Sequence, residues 1–379
     1  MSTCFELPLT PNYVRDWDFG MAIRELIQNG LDQQSVDAKS VFSVDYDPDT
    51  QKLKFSNARS RLKVNTLLLG RSSKSTDQDT VGQFGEGYKI AALVLNRLGK
   101  TFTIYNNMMN QVWTSKFKNS RKWLDKLLAF YVEDVQSTND SLVIEVGNVT
   151  QEEYDQLTEI WLSDPSVARI RTEYGDILTE PEYSGKFFVN GLYIKCSGDF
   201  SFGYDFKPRY MVLERDRKSC DSWSARQVTC KMITSALLSG ELDFDTAKEL
   251  IEVDADDINM IDYTYIEGGG KERLIENLEK SFEEQHPSES KSSSVYVPVN
   301  SEIDKERVNA YGGIPVIVPH NVAGLLSDYR EKRITQLKDS YAGDETLTVK
   351  ERFQKWYDLY ARQLNPEAKE ELGKLINML

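Results

Sequence analysis

Glu25, Asn29 and Asp32 recur at spacings of four and three residues within Arg24-Glu25-Leu26-Ile27-Gln28-Asn29-Gly30-Leu31-Asp32. Ile23, Leu26, Ile27 and Leu31 fall at helical spacing among them, which predicts a helix over residues 19–35. At about 100° per residue the three polar residues share an arc of about 60° opposite the apolar face. Carboxylate and amide oxygens are donors that Mg²⁺ accepts, and a carboxylate can also orient and deprotonate water. On its own the stripe reads as a solvated helix face. It needs a second feature to mean chemistry.

That feature lies in Val81-Gly82-Gln83-Phe84-Gly85-Glu86-Gly87-Tyr88-Lys89-Ile90-Ala91-Ala92-Leu93. Three glycines open directly into a helix-forming run. Glycine lets the backbone turn tightly and approach a ligand, and a helix start presents unpaired N–H groups to an anion. The plain alternative is a glycine-rich turn. Between the two motifs, residues 58–75 carry Arg59, Arg61, Lys63, Arg71 and Lys74 with no Asp or Glu. Such a positive run stands out in a chain of formal net charge −14.

Taken together, these segments resemble the nucleotide site of the GHKL superfamily, the Bergerat-fold group of gyrase B, the 90-kDa heat-shock chaperone, histidine kinases and MutL. The wording is nearest to the chaperone, whose Leu-Gly-x-x-x-Lys-Ser lid stretch resembles Leu69-Gly70-Arg71-Ser72-Ser73-Lys74-Ser75. The resemblance covers about residues 20–146. It implies that Glu25 activates the attacking water, that Asn29 ligates Mg²⁺ and that Asp32 supports the nucleoside side of the pocket. It also implies that the loop of Gly82, Phe84, Gly85, Glu86, Gly87 and Tyr88 cradles the phosphates, with Lys74 reaching them from the lid. Ser141 resembles the hydroxyl that closes the base pocket, although the family usually has Thr after Gly there. A departure concerns the base itself: Asn57-Ala58-Arg59-Ser60-Arg61-Leu62 stands where the family has Asp-x-Gly-x-Gly. An Asn57 amide can accept from the adenine amino group or, flipped, donate to the guanine oxygen. Residues 187–217 weakly resemble the chaperone branch's second domain, which sends an arginine to the terminal phosphate. Arg217 is the better placed candidate and Arg215 the second, against the alternative of a surface ion-pair run Glu214-Arg215-Asp216-Arg217.

These residues need elements to position them. Alternating segments at Ser40–Tyr46 and Lys52–Ser56 around Asp47-Pro48-Asp49-Thr50 predict a hairpin. A second helix is predicted from Tyr88 to Leu98, with strands at Thr101–Tyr105, Val112–Phe117 and Leu142–Val146. A helix at Glu152–Leu162 leads to strand candidates at Lys186–Cys196 and Arg209–Leu213 and a helix at Ser224–Leu238. Residues 241–285 are acidic and helical in pattern, 286–294 are a Ser-rich linker, and an apolar strand at 314–318 precedes two amphipathic helices. The expected organisation is three-part. Residues 1–150 form an α/β two-layer sandwich that binds nucleotide, 151–285 an α+β transducer-like domain, and 286–379 a linker and mainly helical region.

With 379 residues, 40% hydrophobic and 28% charged, the chain can bury two or three ordinary soluble cores. The acidic balance disfavours non-specific binding of the whole chain to nucleic acid or membrane, leaving room for a local basic patch. Cys4, Cys196, Cys220 and Cys230 show no metal-ligand spacing, and with no signal-like or membrane-spanning run the expected compartment is a reducing cytoplasm. His286 and His320 lack the setting of a phosphoacceptor on a dimerisation helix. The resemblance thus implies ATP and Mg²⁺ as cofactors and slow hydrolysis driving a conformational switch. It also implies a nucleotide-dependent homodimer and an unidentified protein partner or client. Two alternatives remain: a nucleotide-binding scaffold that does not hydrolyse, and the ATPase subunit of a topoisomerase or repair assembly.

Overall fold

A computed structural model describes residues 2–68, 87–213, 218–261, 269–287, 295–342, 347–360 and 364–378. The chain falls into two compact units. The first comprises Met1–Arg169, Tyr174–Ser197 and Phe202–Ala225, and the second Ile170–Glu173, Gly198–Ser201 and Arg226–Leu379.

The first unit opens with β1 (Thr3–Glu6), α1 (Phe19–Val36), β2 (Phe42–Asp47), β3 (Lys52–Asn57) and α2 (Gly87–Arg97). It continues with β4 (Thr101–Asn106), β5 (Gln111–Asn119), β6 (Lys126–Asp134) and β7 (Leu142–Gly147). The seven strands form one sheet in the order β1-β6-β5-β4-β7-β3-β2, with every neighbouring pair antiparallel. Asp18 caps α1, its carboxylate accepting from the Met21 N–H at 2.8 Å. The apolar stripe of α1 (Ile23, Leu26, Ile27) and Leu93 of α2 share a core with Leu53, Phe102, Trp113 and Phe130 from the sheet. On the opposite face of the sheet Lys52 bridges Glu145 at 3.1 Å, both side chains alternating away from the core. One face carries helices and the other carries charge, which is the two-layer arrangement read from the sequence. The hairpin turn at 47–50 is held by Asp47, which accepts from Asp49 N and from Thr50 Oγ1.

Five elements differ from the sequence-based expectation. β1 and β6 go unanticipated, β6 because Leu127 to Val132 is a nearly continuous apolar run without clear alternation. The single strand expected over 186–196 is a hairpin, Phe187–Val189 paired with Leu192–Ile194. Asn190 (φ 52°) and Gly191 (φ 76°) make its two-residue turn, the left-handed pair that twisted strands favour. The strand expected over 209–213 is absent: Pro208 starts a 3₁₀ turn, Pro208–Tyr210, and only Leu213 makes an isolated bridge. Glu152–Leu162 resolves into two short helices, Gln151–Asp155 and Leu157–Ile160, the first opened by a Thr150–Glu153 capping box.

The second unit is mostly helical, with more helices than the sequence suggested: Phe244–Glu252, Gly270–Gln285, Glu302–Ala310, His320–Leu325, Ser327–Ala342, Val349–Tyr360 and Pro366–Met378. Ile314–Ile317 pairs in parallel with Tyr296–Val299 across the helix Glu302–Ala310, around Val297, Val299, Val308, Ile334 and Leu337. Asp256 accepts from Asp199 N (2.7 Å), Arg226 Nη2 (2.9 Å) and Asn259 Nδ2 (2.6 Å), and so ties three chain segments together. Among the described residues no helix is long and apolar enough to cross a membrane.

Asp205, on the strand Gly203–Phe206, makes the first unit sensitive to pH. Burial pushes its carboxyl from the ordinary 3.8 up to about 6, and Asp176, directly opposite in the strand pairing, pushes the same way. The Gly191 N–H (2.8 Å) and Arg169 oppose the rise. Between pH 3.8 and about 6 the folded state keeps a proton that the unfolded chain has released. The contribution is therefore lost as pH rises through that window, a change of about 3 kcal/mol. Asp205→Asn keeps the acceptor for Gly191 and removes the titration. The variant should gain stability relative to the parent as pH goes from 4 to 7. Denaturant unfolding of both proteins across that range checks this, and a constant difference between them would refute the assignment.

Candidate functional site

The inward stripe of α1 fixes where its polar stripe goes. With Ile23, Leu26 and Ile27 in the core, Glu25 and Asn29 are half-buried one turn apart, and Asp32 is fully buried. Asn29 Nδ2 donates to the Glu25 backbone carbonyl at 2.7 Å. That bond engages the donor end of the amide and leaves oxygen as its other polar atom, the hard ligand type that Mg²⁺ takes.

Gly87, the first residue of α2, sits directly against this pair. A Cβ built on Gly87 would collide with the Glu25 carboxylate and lie 3.1 Å from Asn29 Nδ2. A side chain at residue 87 would have to push the Glu25 carboxylate aside. The positive end of the α2 dipole therefore lies beside Glu25 and Asn29, an arrangement that favours negative charge nearby. Gly30 is a second close approach, where a Cβ would run into the Phe42 ring.

A second group gathers at one end of the sheet. The inward positions of β3 run Leu53, Phe55, Asn57 and those of β4 run Phe102, Ile104, Asn106, so each strand ends its core-facing series on a buried asparagine. Asn57 and Asn106 both pair in register with Leu142 of β7, the strand between them, and Ser141 immediately precedes it. Asn57 Nδ2 donates to Gly30 O (3.0 Å) and Ser40 O (3.2 Å). Two carbonyls can only accept, so the orientation of the Asn57 amide is set, with oxygen as its remaining polar atom. The buried Ser40 hydroxyl has no hydrogen-bond partner among the described residues.

Asn106 and Asn107 were missed in the sequence. Asn106 Nδ2 donates to Leu62 O (2.8 Å) and Leu62 N donates to Asn106 Oδ1 (3.2 Å), pinning the segment after Asn57 to the strand end. Asn107 Nδ2 donates to Ser141 Oγ (3.2 Å), and Ser141 N donates to Asn139 Oδ1 (2.8 Å). The readable signal was a polar residue at the third inward position of each strand.

The first turn of α2 also grips the chain before residue 69. Lys89 is fully buried, and its Nζ donates to Thr66 O and Leu68 O at 2.8 Å each. These carbonyls belong to the C-terminal side of the 3₁₀ turn Val64–Leu67, whose own ladder leaves them open. The Tyr88 hydroxyl lies 3.0 Å from Thr66 Oγ1, and burial pushes it up to about 12, so it remains a neutral phenol. Arg59, Arg61 and Lys63 of the basic run are exposed.

The structure thus brings together Glu25, Asn29 and Gly87, with Asp32 buried further along α1 and Tyr88 set against Thr66 and Phe130, and separately Asn57, Leu62 and Ser141 at the sheet end. Lys74, Gly82, Phe84, Gly85, Glu86, Arg215 and Arg217 lie outside the described residues. Among the described residues no three His, Cys, Asp or Glu side chains cluster as a metal site would. A Mg²⁺ bound here would rely on the Asn29 oxygen and on the ligand's own oxygens. The donor chemistry of the Asn29 amide beside the Glu25 carboxylate fits that role.

No protein-family model matches the chain. It is similar to an uncharacterised protein of Mycoplasma pneumoniae, 25% identical over 239 residues that cover 59% of this chain and 93% of that protein. Among solved structures it is similar to the ATPase region of Saccharomyces cerevisiae topoisomerase II bound to ICRF-187 (dexrazoxane). That likeness has a TM-score of 0.35 at 9% identity, covering 54% of this chain and 77% of that one. A second structure of the same ATPase region gives a TM-score of 0.34 at 10% identity, with 54% and 76% covered. The ATPase and transducer domains of DNA topoisomerase II from Balamuthia mandrillaris give 0.29 at 11%, with 51% and 66% covered. None of these three is the heat-shock chaperone whose motif wording the sequence resembles. Likenesses this distant leave the site to be argued from its own side chains.

Proposed function

We propose that the chain is a Bergerat-type nucleotide-binding protein that takes Mg-ATP, hydrolyses it slowly and couples it to a conformational switch. The observation that carries the reading is the contact at Gly87, where the start of a helix rests against the Glu25 carboxylate and the Asn29 amide and a side chain would displace the carboxylate. The motif resemblance assigns these positions to water activation, metal ligation and phosphate binding. In this reading residues 1–150 hold the nucleotide, 151–285 act as a transducer-like domain, and 286–379 form the linker and helical remainder.

Glu25 orients the attacking water and takes its proton. Asn29 supplies an amide oxygen to Mg²⁺, which when bound neutralises phosphate charge. Asp32 is buried on the same helix and supports the nucleoside side. Asn57 reads the base through its oxygen, because both of its N–H groups point to backbone carbonyls. Asn106 keeps the Leu62 segment in place beside it. A nucleotide-dependent homodimer and a protein partner remain part of the proposal.

Ligand binding should appear as thermal stabilisation. Mg-ATP at 100 times its dissociation constant adds about 2.7 kcal/mol. A melting scan should show a clear rise for the parent and a much smaller one for Asn29→Ala; equal rises would remove Asn29 from the metal site.

Base choice should follow the fixed Asn57 amide. Its oxygen accepts from the adenine amino group and has nothing to donate to the guanine oxygen, so ATP should outcompete GTP for a labelled ATP analogue. Equal displacement by the two nucleotides would mean that the base is read elsewhere.

Glu25→Ala tests the chemistry. A positioned general base contributes about 10²- to 10⁴-fold in rate, so phosphate release should fall by that order while ATP affinity holds or tightens through loss of a negative charge. Steady-state phosphate release and equilibrium ATP binding, measured on both proteins, check this. Normal turnover in the variant would show that the base is misassigned. Binding without any turnover in the parent would replace the enzyme with a nucleotide-dependent scaffold.

A further inference from the structure

The turn joining β5 to β6 and the strand ends beside it form a second basic run. Residues 116–126 carry Lys116, Lys118, Arg121, Lys122 and Lys126 with a single acid, Asp125, in a protein of net charge −14, and of these Lys118 pairs with Glu6 of β1 at 2.8 Å. At its apex Trp123 is 59% exposed and Leu124 90% exposed, side by side. Such a pair gains nothing from water, and a solvated turn would ordinarily use polar residues there.

The loop is held in this form by its own bonds. Ser120, buried, donates through Oγ to Glu6 of β1 at 2.7 Å and accepts from the Trp123 N–H at 3.4 Å. Leu124 N donates to Ser120 O (3.1 Å) and Ser120 N to Asp125 O (2.8 Å). Leu124 takes a left-handed backbone (φ 54°), a conformation that glycine or asparagine would adopt more cheaply. A leucine is thus kept outward at a position where its own backbone preference opposes it. Just behind the apex, the Lys122 ammonium lies 5.1 Å from the Trp123 ring and Lys126 lies 5.5 Å from the Phe117 ring.

We propose that the β5–β6 loop docks the protein peripherally on a bilayer containing anionic lipid, Trp123 and Leu124 entering the interface and Arg121, Lys122 and Lys126 meeting the headgroups. Indole favours the headgroup level, leucine the acyl boundary, and cations a negatively charged surface. A nucleic-acid strand fits the loop less well. It would need stacking rings spaced along a basic path, whereas the loop has one exposed ring partly covered by Lys122, and Leu124 has no role on a phosphate backbone. The inference is independent of the nucleotide site.

The test is sedimentation of the full chain with vesicles of phosphatidylcholine alone and with added phosphatidylglycerol, at low and high salt. Two variants accompany it, Trp123→Ser with Leu124→Ser, and Arg121→Glu with Lys122→Glu, both at exposed positions and with melting temperatures compared to the parent. The parent should sediment with the phosphatidylglycerol vesicles and not with phosphatidylcholine alone. Added salt should weaken the binding, and each variant should weaken it by about tenfold or more. No binding to the anionic vesicles, or equal binding by parent and variants, overturns the proposal. So does loop-dependent binding of a single-stranded oligonucleotide by a protein that ignores vesicles.

Discussion

The candidate site depends on one close approach, that of α2 to α1 at Gly87. Two helices whose side chains interleave normally keep their axes 8–10 Å apart. Where one of them begins on a residue without a Cβ, its terminal N–H groups can come within reach of the neighbour's side chains. Here those side chains are a carboxylate and an amide, and a methyl group at residue 87 would displace the carboxylate. The same two helices bury Ile23, Leu26, Ile27 and Leu93 in a common core, so their spacing is set by packing well away from the polar contact. The approach can be so close because the core behind it is rigid.

Away from that contact, the sheet end uses amides where a core would ordinarily end in aliphatic side chains. A buried amide without partners is costly, and each of these is paired: Asn57 to two carbonyls, Asn106 to both backbone groups of Leu62. Such pairing has two effects. It closes the open end of the sheet without exposing strand backbone, and it fixes which end of each amide is a donor. For Asn57 the donor end is turned to the Gly30 and Ser40 carbonyls. A free asparagine can present either end to a base, while one with both N–H groups held by carbonyls presents an acceptor, as an aspartate would.

The part of the fold written in local periodicity was legible. α1, α2 and the strands β2, β3, β4, β5 and β7 all lie within a few residues of where the pattern put them, because apolar residues recur at helical or strand spacing in each between turn-forming segments. β6 escaped because its apolar run is nearly continuous, and β1 because four residues at a sheet edge carry little pattern. The 186–196 hairpin was announced by Asn190-Gly191 and was passed over because the flanking strands are only three residues long. The site was legible as motifs and not as contacts. Lys89 stood in plain view within the glycine-rich motif, yet nothing in the sequence says that a lysine in a helical run will be fully buried with two backbone carbonyls as partners.

That buried lysine links the two motifs mechanically. Its Nζ holds Leu68 O, the last described residue before position 69, while its own helix begins at Gly87, the first described residue after position 86. The Tyr88 hydroxyl and Thr66 Oγ1 add a second link between α2 and the 3₁₀ turn. The Lys89 ammonium, enclosed by protein, is stabilised by the same carbonyls that it holds. The grip on Thr66 and Leu68 and the position of Gly87 are consequently properties of the same helical turn. A change that loosened the first would disturb the second, and with it the contact with Glu25 and Asn29.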